Sequence, residues 1–447
     1  MRVVIVNAVF PPEPVVSARI GRDVAGEFAA RGWQVDVITP QPSRPHGTVY
    51  PRMPASEELS AGRFRFRVHR VDSVVSPGRS LPGRFIESWS FGRKSAQKLL
   101  SLTLAAAPID VIYVNSWPLA AQALIVAVAV RLRIPVTLHI QDLYPESLLP
   151  KLPGLFRGLA GQSLLGLDRW LMGQCRAVVT ISQRMSDCVT QLRRVPRDKV
   201  VIVPNYGDGE AFKLAGARAE SAARYGVDPK KFTFLYLGNI GPVAGVQTLV
   251  QAFHAAGLEK SQLLIVGGGS CRDDCEQLAK RLQAENIRFI SEPDAGRVPA
   301  VQALADVFLL PMRRGAAASS VPSKLVAYLF SGRPVLAAVD EDSDTADTIR
   351  RGGCGWIEVP EDAARLGAKM REVSRLPEPA LAEMGARGRE HAGRHFSRAR
   401  CLGDLCAVIE RAANGRELQG KDGREEMARL GNLGQPGIAE ASADSRT

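Results

Sequence analysis

Apolar, β-branched runs alternate with segments of helical period along almost the whole chain, and this alternation leaves few folds open. RVVIVN, from Arg2 to Asn7, is a continuous apolar run. It passes through the proline-rich loop FPPEP (Phe10 to Pro14) into the helical run SARIGRDVAGEFAARG, then into VDVITP. IDVIYVNS, the apolar segment from Pro118 to Pro135, PVTLHIQD, AVVTISQRM and VVIVPNYGD continue the pattern. Strands apolar at every position are buried on both faces, which implies a parallel sheet with helices on each side. After a charged linker around KLAGARAESAARYGVDPKK the pattern starts again, with FTFLYLGNIG, GVQTLVQAFHAAG, SQLLIVGGGS, CRDDCEQLAKRLQAEN, IRFISE, ADVFLLPM and RPVLAAV. The expected architecture is α/β, with two Rossmann-like domains (1–210 and 211–375) facing across a cleft. Helical sequence over 376–413 is expected to cross back to the first domain, and the polar, glycine-containing segment 414–447 to be disordered.

The 447 residues exceed one ordinary core, which agrees with two domains. Hydrophobic residues at 45% and charged residues at 23% exclude collagenous, disulfide-dense and bulk-disordered classes. A net charge of +12 suits anionic lipid, nucleic acid or phosphorylated substrates, and does not choose among them. Seven cysteines form no CxxC pair, and Cys271 and Cys275, four apart, have no histidine nearby in sequence, so reduced thiols are expected rather than a zinc site. The chain opens directly on a strand with no secretory pattern, and the Pro118–Pro135 run, which contains Arg131 and Arg133, falls short of the ~20 residues of a membrane span. A cytoplasmic protein is expected.

In an open parallel sheet, ligands bind outside the carboxyl ends of the strands, so the loops after each strand are the ones to read. In the second half, LGNIG carries Gly238, Asn239 and Gly241, and VGGG carries Gly267. Glycine there lets backbone amides approach a phosphate, although a plain strand-to-helix turn has the same composition. SEP places Glu292 after another strand, where main-chain groups could read a nucleobase edge. SSVPSKLVAYLFSGRPVLA starts a helix, with Ser320 and Ser323 as hydroxyl donors and Lys324 in the first turn. A cation at that end of a helix is unfavourable unless an anion sits opposite, and a diphosphate would satisfy it. In the first half, FPPEP brings Glu13, followed by Arg19, to the cleft. HIQDLYPES crowds His139, Asp142 and Glu146 after a buried strand, where a carboxylate could accept a proton from an attacking hydroxyl or could cap a helix. The acidic DEDSD run (Asp340 to Asp344) reads as a helix cap around Ser343 and Asp344 rather than as a metal site.

The order and spacing of FPPEP with Arg19, HIQDLYPES, VVTISQRM, VVIVPNYGD, LYLGNIG, SVPSKLVAYLFSGRPVL and RRGGCGWIEVP resemble the retaining glycosyltransferases of family 4, which have the GT-B fold. The similarity runs to about residue 410 and is nearest to the exopolysaccharide, colanic-acid and O-antigen group. The resemblance implies transfer of a sugar from a nucleotide-sugar to an acceptor hydroxyl, with no metal and no other cofactor. It implies donor binding by Gly238, Asn239, Gly241, Gly267, Glu292, Ser320, Ser323 and Lys324, acceptor binding by Glu13, Arg19 and Glu146, and catalysis near Asp142 and His139. The partners implied are a nucleotide-sugar and a glycan or lipid-linked acceptor at an inner-membrane surface, not nucleic acid. PGRSLPGRFIESWSFGRKSAQKLL could lie on that membrane, or form a solvated loop and helix on its own domain. Two departures stand out. The paired glutamates common in the family are replaced by Ser319 and Ala327, and the loop after GNIG reads PVAG, without a basic residue. A catalytically silent partner and a nucleotide-sugar epimerase of the same fold are therefore alternative readings.

Overall fold

A computed structural model describes residues 1–44, 48–76, 80–105, 107–115, 119–143, 154–212, 218–291, 293, 295–315 and 323–415. The first sheet comprises β1 (Arg2–Asn7), β2 (Gln34–Pro40), β3 (Ser56–Ala61), β4 (Phe64–Val71), β5 (Val111–Asn115), β6 (Val136–His139), β7 (Ala177–Thr180) and β8 (Val200–Ile202), in the order β3-β4-β2-β1-β5-β6-β7-β8. All its pairings are parallel except β3 with β4. The second sheet is wholly parallel: β9 (Phe232–Leu237), β10 (Ser261–Val266), β11 (Ile287–Ile290), β12 (Val307–Pro311), β13 (Val335–Ala338) and β14 (Gly355–Glu358), in the order β11-β10-β9-β12-β13-β14.

Helices α1 (Val16–Ala30), α2 (Leu81–Ala105), α3 (Leu119–Arg131), α4 (Gly154–Gln174) and α5 (Gln183–Leu192) belong to the first sheet. The second carries α6 (Arg218–Tyr225), α7 (Val246–Ala256), α8 (Arg272–Arg281), α9 (Val298–Gln302), α10 (Ser323–Ser331), α11 (Asp344–Gly352) and α12 (Ala363–Val373). Then come α13 (Glu378–His395) and α14 (Arg398–Ala413). The strands are buried on both faces, as their unbroken apolar runs require: Val3, Val4, Ile5 and Val6 are all fully buried, and they divide between two core clusters.

Three local features differ from the sequence reading. The β3–β4 hairpin was not anticipated, because SEELSA is a polar edge strand with no apolar alternation. The charged linker contains α6, whose Ala222 joins the second core. The C-terminal helical sequence is broken at Phe396–Ser397. There the chain turns back, and Gly207 pairs with Ser397 and donates its N–H to Phe396 O at 3.0 Å. The break lets α13 stay on the second domain while α14 seals the first, with Leu402, Leu405, Cys406 and Ile409 buried beside Ile5, Val24 and Tyr113. Ser343 does cap α11, accepting from Ala346 N at 3.2 Å. The tail beyond residue 415 lies outside the described residues.

Candidate active site

Each sheet has one point where the chain reverses its direction of growth, and a crevice opens there at the carboxyl edge. In the second sheet this point is β9, flanked by β10 and β12, so the loops after β9 and β12 diverge across it. In the first it is β1, flanked by β2 and β5. The two carboxyl edges face one another: Arg184, in the first turn of α5 after β7, forms an ion pair with Asp342 in the loop after β13.

The loops after β9 and β10 run backbone against backbone. Gly238 N–H donates to Val266 O at 2.9 Å, Ile240 N–H to Gly268 O at 2.7 Å, and Cys271 N–H to Ile240 O at 2.9 Å. Gly267 (φ 134°) and Gly269 (φ 147°) lie where side chains are strained, and a Cβ on either would collide with the carbonyl oxygen of Gly238 or Ile240 respectively. Arg272 fastens the pair from behind, donating to the Gly267 and Ile290 carbonyls and pairing with Glu276 at 2.7 Å. Gly241 is buried, and Asn239 is exposed at the loop tip.

Lys324 reaches this crevice from the first turn of α10. Its ammonium donates to the Tyr236 hydroxyl at 2.9 Å, and a Cβ on Gly238 would stand 3.2 Å from it. The Tyr236 hydroxyl donates in turn to Asn239 O at 2.7 Å. One turn along α10, the Tyr328 hydroxyl accepts from Leu237 N–H and donates to Leu237 O, both at 2.9 Å, which locks the helix to β9. Half-buried among these groups, Lys324 has its pKa lowered by desolvation to about 8. Ser323 opens α10 and is exposed. Ser320, Glu292 and Glu146 lie outside the described residues, as does Ser319.

The first-domain candidates are placed differently. Glu13 is buried, with its carboxylate accepting from the amides of Phe10 (2.9 Å), Ser43 (2.8 Å) and Arg44 (2.8 Å). It ties the FPPEP loop to the loop after β2. Burial raises its pKa, against the lowering effect of those hydrogen bonds. Arg19 donates to Tyr206 O at 2.6 Å and lies 5.7 Å from that ring's centre, bracing α1 on the segment that leaves the first domain. His139 ends β6 as a buried side chain: the Tyr113 hydroxyl is 2.7 Å from Nδ1, and the Gln141 amide 3.1 Å from Nε2. Burial pushes its pKa down to about 3, so the ring is neutral. Asp142 follows on the surface at the start of the loop. The structure thus gathers Lys324, Gly238, Asn239 and Gly267 in one crevice, and uses Glu13 and His139 inside the wall of the other.

Tyr236, Arg272, Tyr113 and Gln141 escaped the sequence reading. A tyrosine in a buried strand with its hydroxyl at the carboxyl end was the available signal for Tyr236 and Tyr113. Asn7 and Asn115, at the ends of β1 and β5, also sit at the first switch point. Both donate to Ser17 O (3.0 and 3.3 Å), and both leave a buried side-chain oxygen without a partner among the described residues. Among the described residues no three His, Cys, Asp or Glu side chains gather so as to hold a metal ion.

Comparison with known proteins agrees with this architecture. Residues 18–208 match the model of Glycosyltransferase Family 4, and residues 217–391 that of Glycosyl transferases group 1. The putative colanic acid biosynthesis glycosyl transferase WcaI of Escherichia coli is 25% identical over 398 residues, spanning 84% of this chain and 93% of that protein. The probable glycosyltransferase WbjE of Pseudomonas aeruginosa is 24% identical over 248 residues, 54% of this chain and 60% of that one. Among solved structures, Anabaena HepE in complex with UDP and glucose superposes with a TM-score of 0.66 at 15% identity, covering 92% of this chain and 99% of that one. Two facing Rossmann-like sheets matched in order by these two family models identify the chain as a glycosyltransferase of family 4 with the GT-B fold.

Proposed function

We propose that the chain transfers a sugar, with retention of configuration and without a metal, from a nucleoside diphosphate sugar to a hydroxyl of a lipid-linked glycan in surface polysaccharide synthesis. The observation that carries this reading is Lys324, a half-buried ammonium at the mouth of the glycine crevice that has no carboxylate paired to it among the described residues. An ammonium held there, with the first turn of α10 beside it, favours a diphosphate. It stabilises the negative charge that group gains as it takes the electron pair of its broken bond to the sugar, while the acceptor hydroxyl loses its proton and bonds the anomeric carbon. HepE, of the same fold, binds UDP and glucose, and WcaI is named for colanic acid biosynthesis. The second sheet then serves the donor, with Gly238, Asn239, Gly241, Gly267 and Ser323 around it. The first sheet serves the acceptor, with Asp142 at the cleft and His139, Glu13 and Arg19 positioning the loops that line it.

A membrane-bound acceptor is supported by the outer face of α2. Phe85 (60% exposed), Ile86, Trp89 (49% exposed), Leu100 and Leu104 form a stripe at helical spacing, with Arg93 and Lys94 among them. The opposite face, with Ser88, Phe91, Ser95 and Leu99, is buried. Apolar and basic groups on one helix face suit an anionic lipid surface. Among the described residues, no helix is long and apolar enough to cross a membrane.

The test is incubation with a panel of nucleotide-sugars, with and without lipid-linked acceptor. Release of nucleoside diphosphate only when acceptor is present supports the transferase. Free sugar without need of acceptor would indicate the epimerase, and binding without turnover the silent partner.

A further inference from the structure

Helix α10 spans nine residues, roughly 13 Å, from the carboxyl edge of the second sheet to its amino edge. At the far end, Gly332 turns the chain with φ 72°, and α13 closes on this turn through small residues: a Cβ on Gly385 would collide with Gly332 O. Between turn and helix lies a cavity of about 400 Å³ lined by Gly332, Arg333, Ala382, Ala386, Arg389 and Glu390.

The two arginines differ in what they already hold. Arg389 donates to Phe330 O at 3.0 Å and Ser331 O at 2.8 Å, satisfying carbonyls at the end of α10. Among the described residues, Arg333 donates no side-chain hydrogen bond and forms no ion pair; it feels Asp306 and Glu378 only at longer range. Those acids are not its partners. Asp306 accepts from both terminal nitrogens of Arg218, at 2.6 and 2.9 Å, and from Thr233 N at 2.7 Å. Glu378 is exposed on the first turn of α13, and Glu390, in the cavity wall, is paired with Arg394. Burial lowers the pKa of Arg333, a sign that its charge is poorly compensated.

A guanidinium fork with unused donors, beside a second guanidinium and an alanine wall, has the chemistry that recognises phosphate. The cavity is of a size that holds a small metabolite. We propose that it is a second anion site, taking a small organic phosphate on Arg333 and Arg389. Arg389 closes α10 and Lys324 begins it, so occupancy at one end bears on the other through that one helix. This coupling rests on the reading of Lys324 as the diphosphate residue; the site itself does not.

The experiment is calorimetric titration of the full chain with a hexose phosphate and with inorganic phosphate, at ionic strength held constant with chloride. The wild type and Lys324→Ala are expected to bind, and Arg333→Gln to bind at least tenfold more weakly. Ala386→Glu, which leaves Arg333 in place and puts a carboxylate in the cavity, is expected to lose binding equally; circular dichroism identifies the folded variants. Absence of binding to the wild type, undiminished binding to folded Arg333→Gln, or loss of binding in Lys324→Ala alone overturns the site. With the site saturated, nucleoside diphosphate affinity is expected to change at least twofold, reciprocally. An unchanged affinity in a protein that binds both ligands overturns the coupling.

Discussion

The Lys324 ammonium hydrogen-bonds the Tyr236 hydroxyl at 2.9 Å while lying 4.6 Å from the centre of the same ring. One aromatic side chain thus orients the cation and shields it from water. Tyr236 is itself anchored through Asn239 O, so ammonium and glycine loop are set as a unit before any ligand arrives.

That arrangement predicts a pH dependence. Desolvation lowers the Lys324 pKa to about 8, so the ammonium is charged below pH 8 and is lost above it. Nucleoside diphosphate affinity is expected to weaken as pH rises through about 8, with the inflection absent in Lys324→Ala. In the free protein the sign is opposite. The unfolded chain holds this proton up to the ordinary lysine range, so the Lys324 contribution to stability rises from pH 8 upward. Titration of affinity and of denaturant midpoint against pH checks both.

Tyr236→Phe removes the hydroxyl and keeps the ring. Losing one charge-assisted hydrogen bond is expected to cost about 1–2 kcal/mol of diphosphate binding, roughly 5- to 30-fold in Kd, with little change in melting temperature. An unchanged Kd would show that Lys324 needs no orienting.

Gly267→Ala forces a side chain into the left-handed region and onto the Gly238 carbonyl. A loss of about 1–3 kcal/mol in stability is expected, accompanied by weaker nucleotide binding. Gly268→Ala, where a Cβ meets nothing within 4 Å, is the matched control and should leave both intact.

Within the first sheet, Asp36 accepts from Arg2 at 2.8 and 3.0 Å and lies 2.9 Å from His69 Nε2, all three buried. Burial alone would raise the Asp36 pKa, but the hydrogen bonds from His69 and Arg2 hold it below the ordinary aspartate value. The stabilisation is therefore present above about pH 4 and lost as pH falls through the depressed value. Asp36→Ala strands the Arg2 charge and is expected to cost about 3–5 kcal/mol by chemical denaturation.

Replacing Phe85 and Trp89 with serine takes the apolar anchor from α2 without touching the core, since both point outward. Binding to anionic-lipid vesicles in a flotation assay is expected to fall at least tenfold, while turnover of a soluble acceptor analogue is retained. Equal flotation by the double variant removes α2 from membrane contact.

Strand runs such as VVIV and LLIV were legible because a sequence apolar at every position has only the interior of a parallel sheet to occupy. The glycine loops and the helix with Lys324 in its first turn were legible too, since local chemistry there depends on residue type and near neighbours. The chain alone therefore determined the α/β architecture, the order of its elements and which glycine loops follow the strands of the second sheet. Only tertiary structure decided what each polar side chain serves. As letters Glu13 reads as acceptor-binding and His139 as catalytic; in the fold one gathers three backbone amides and the other is buried on Tyr113. Tyr236 and Lys324 are 88 residues apart and meet only because β9 and β12 flank the same crevice. Burial and pairing arise from packing between distant segments, and no local pattern encodes which distant group will stand opposite.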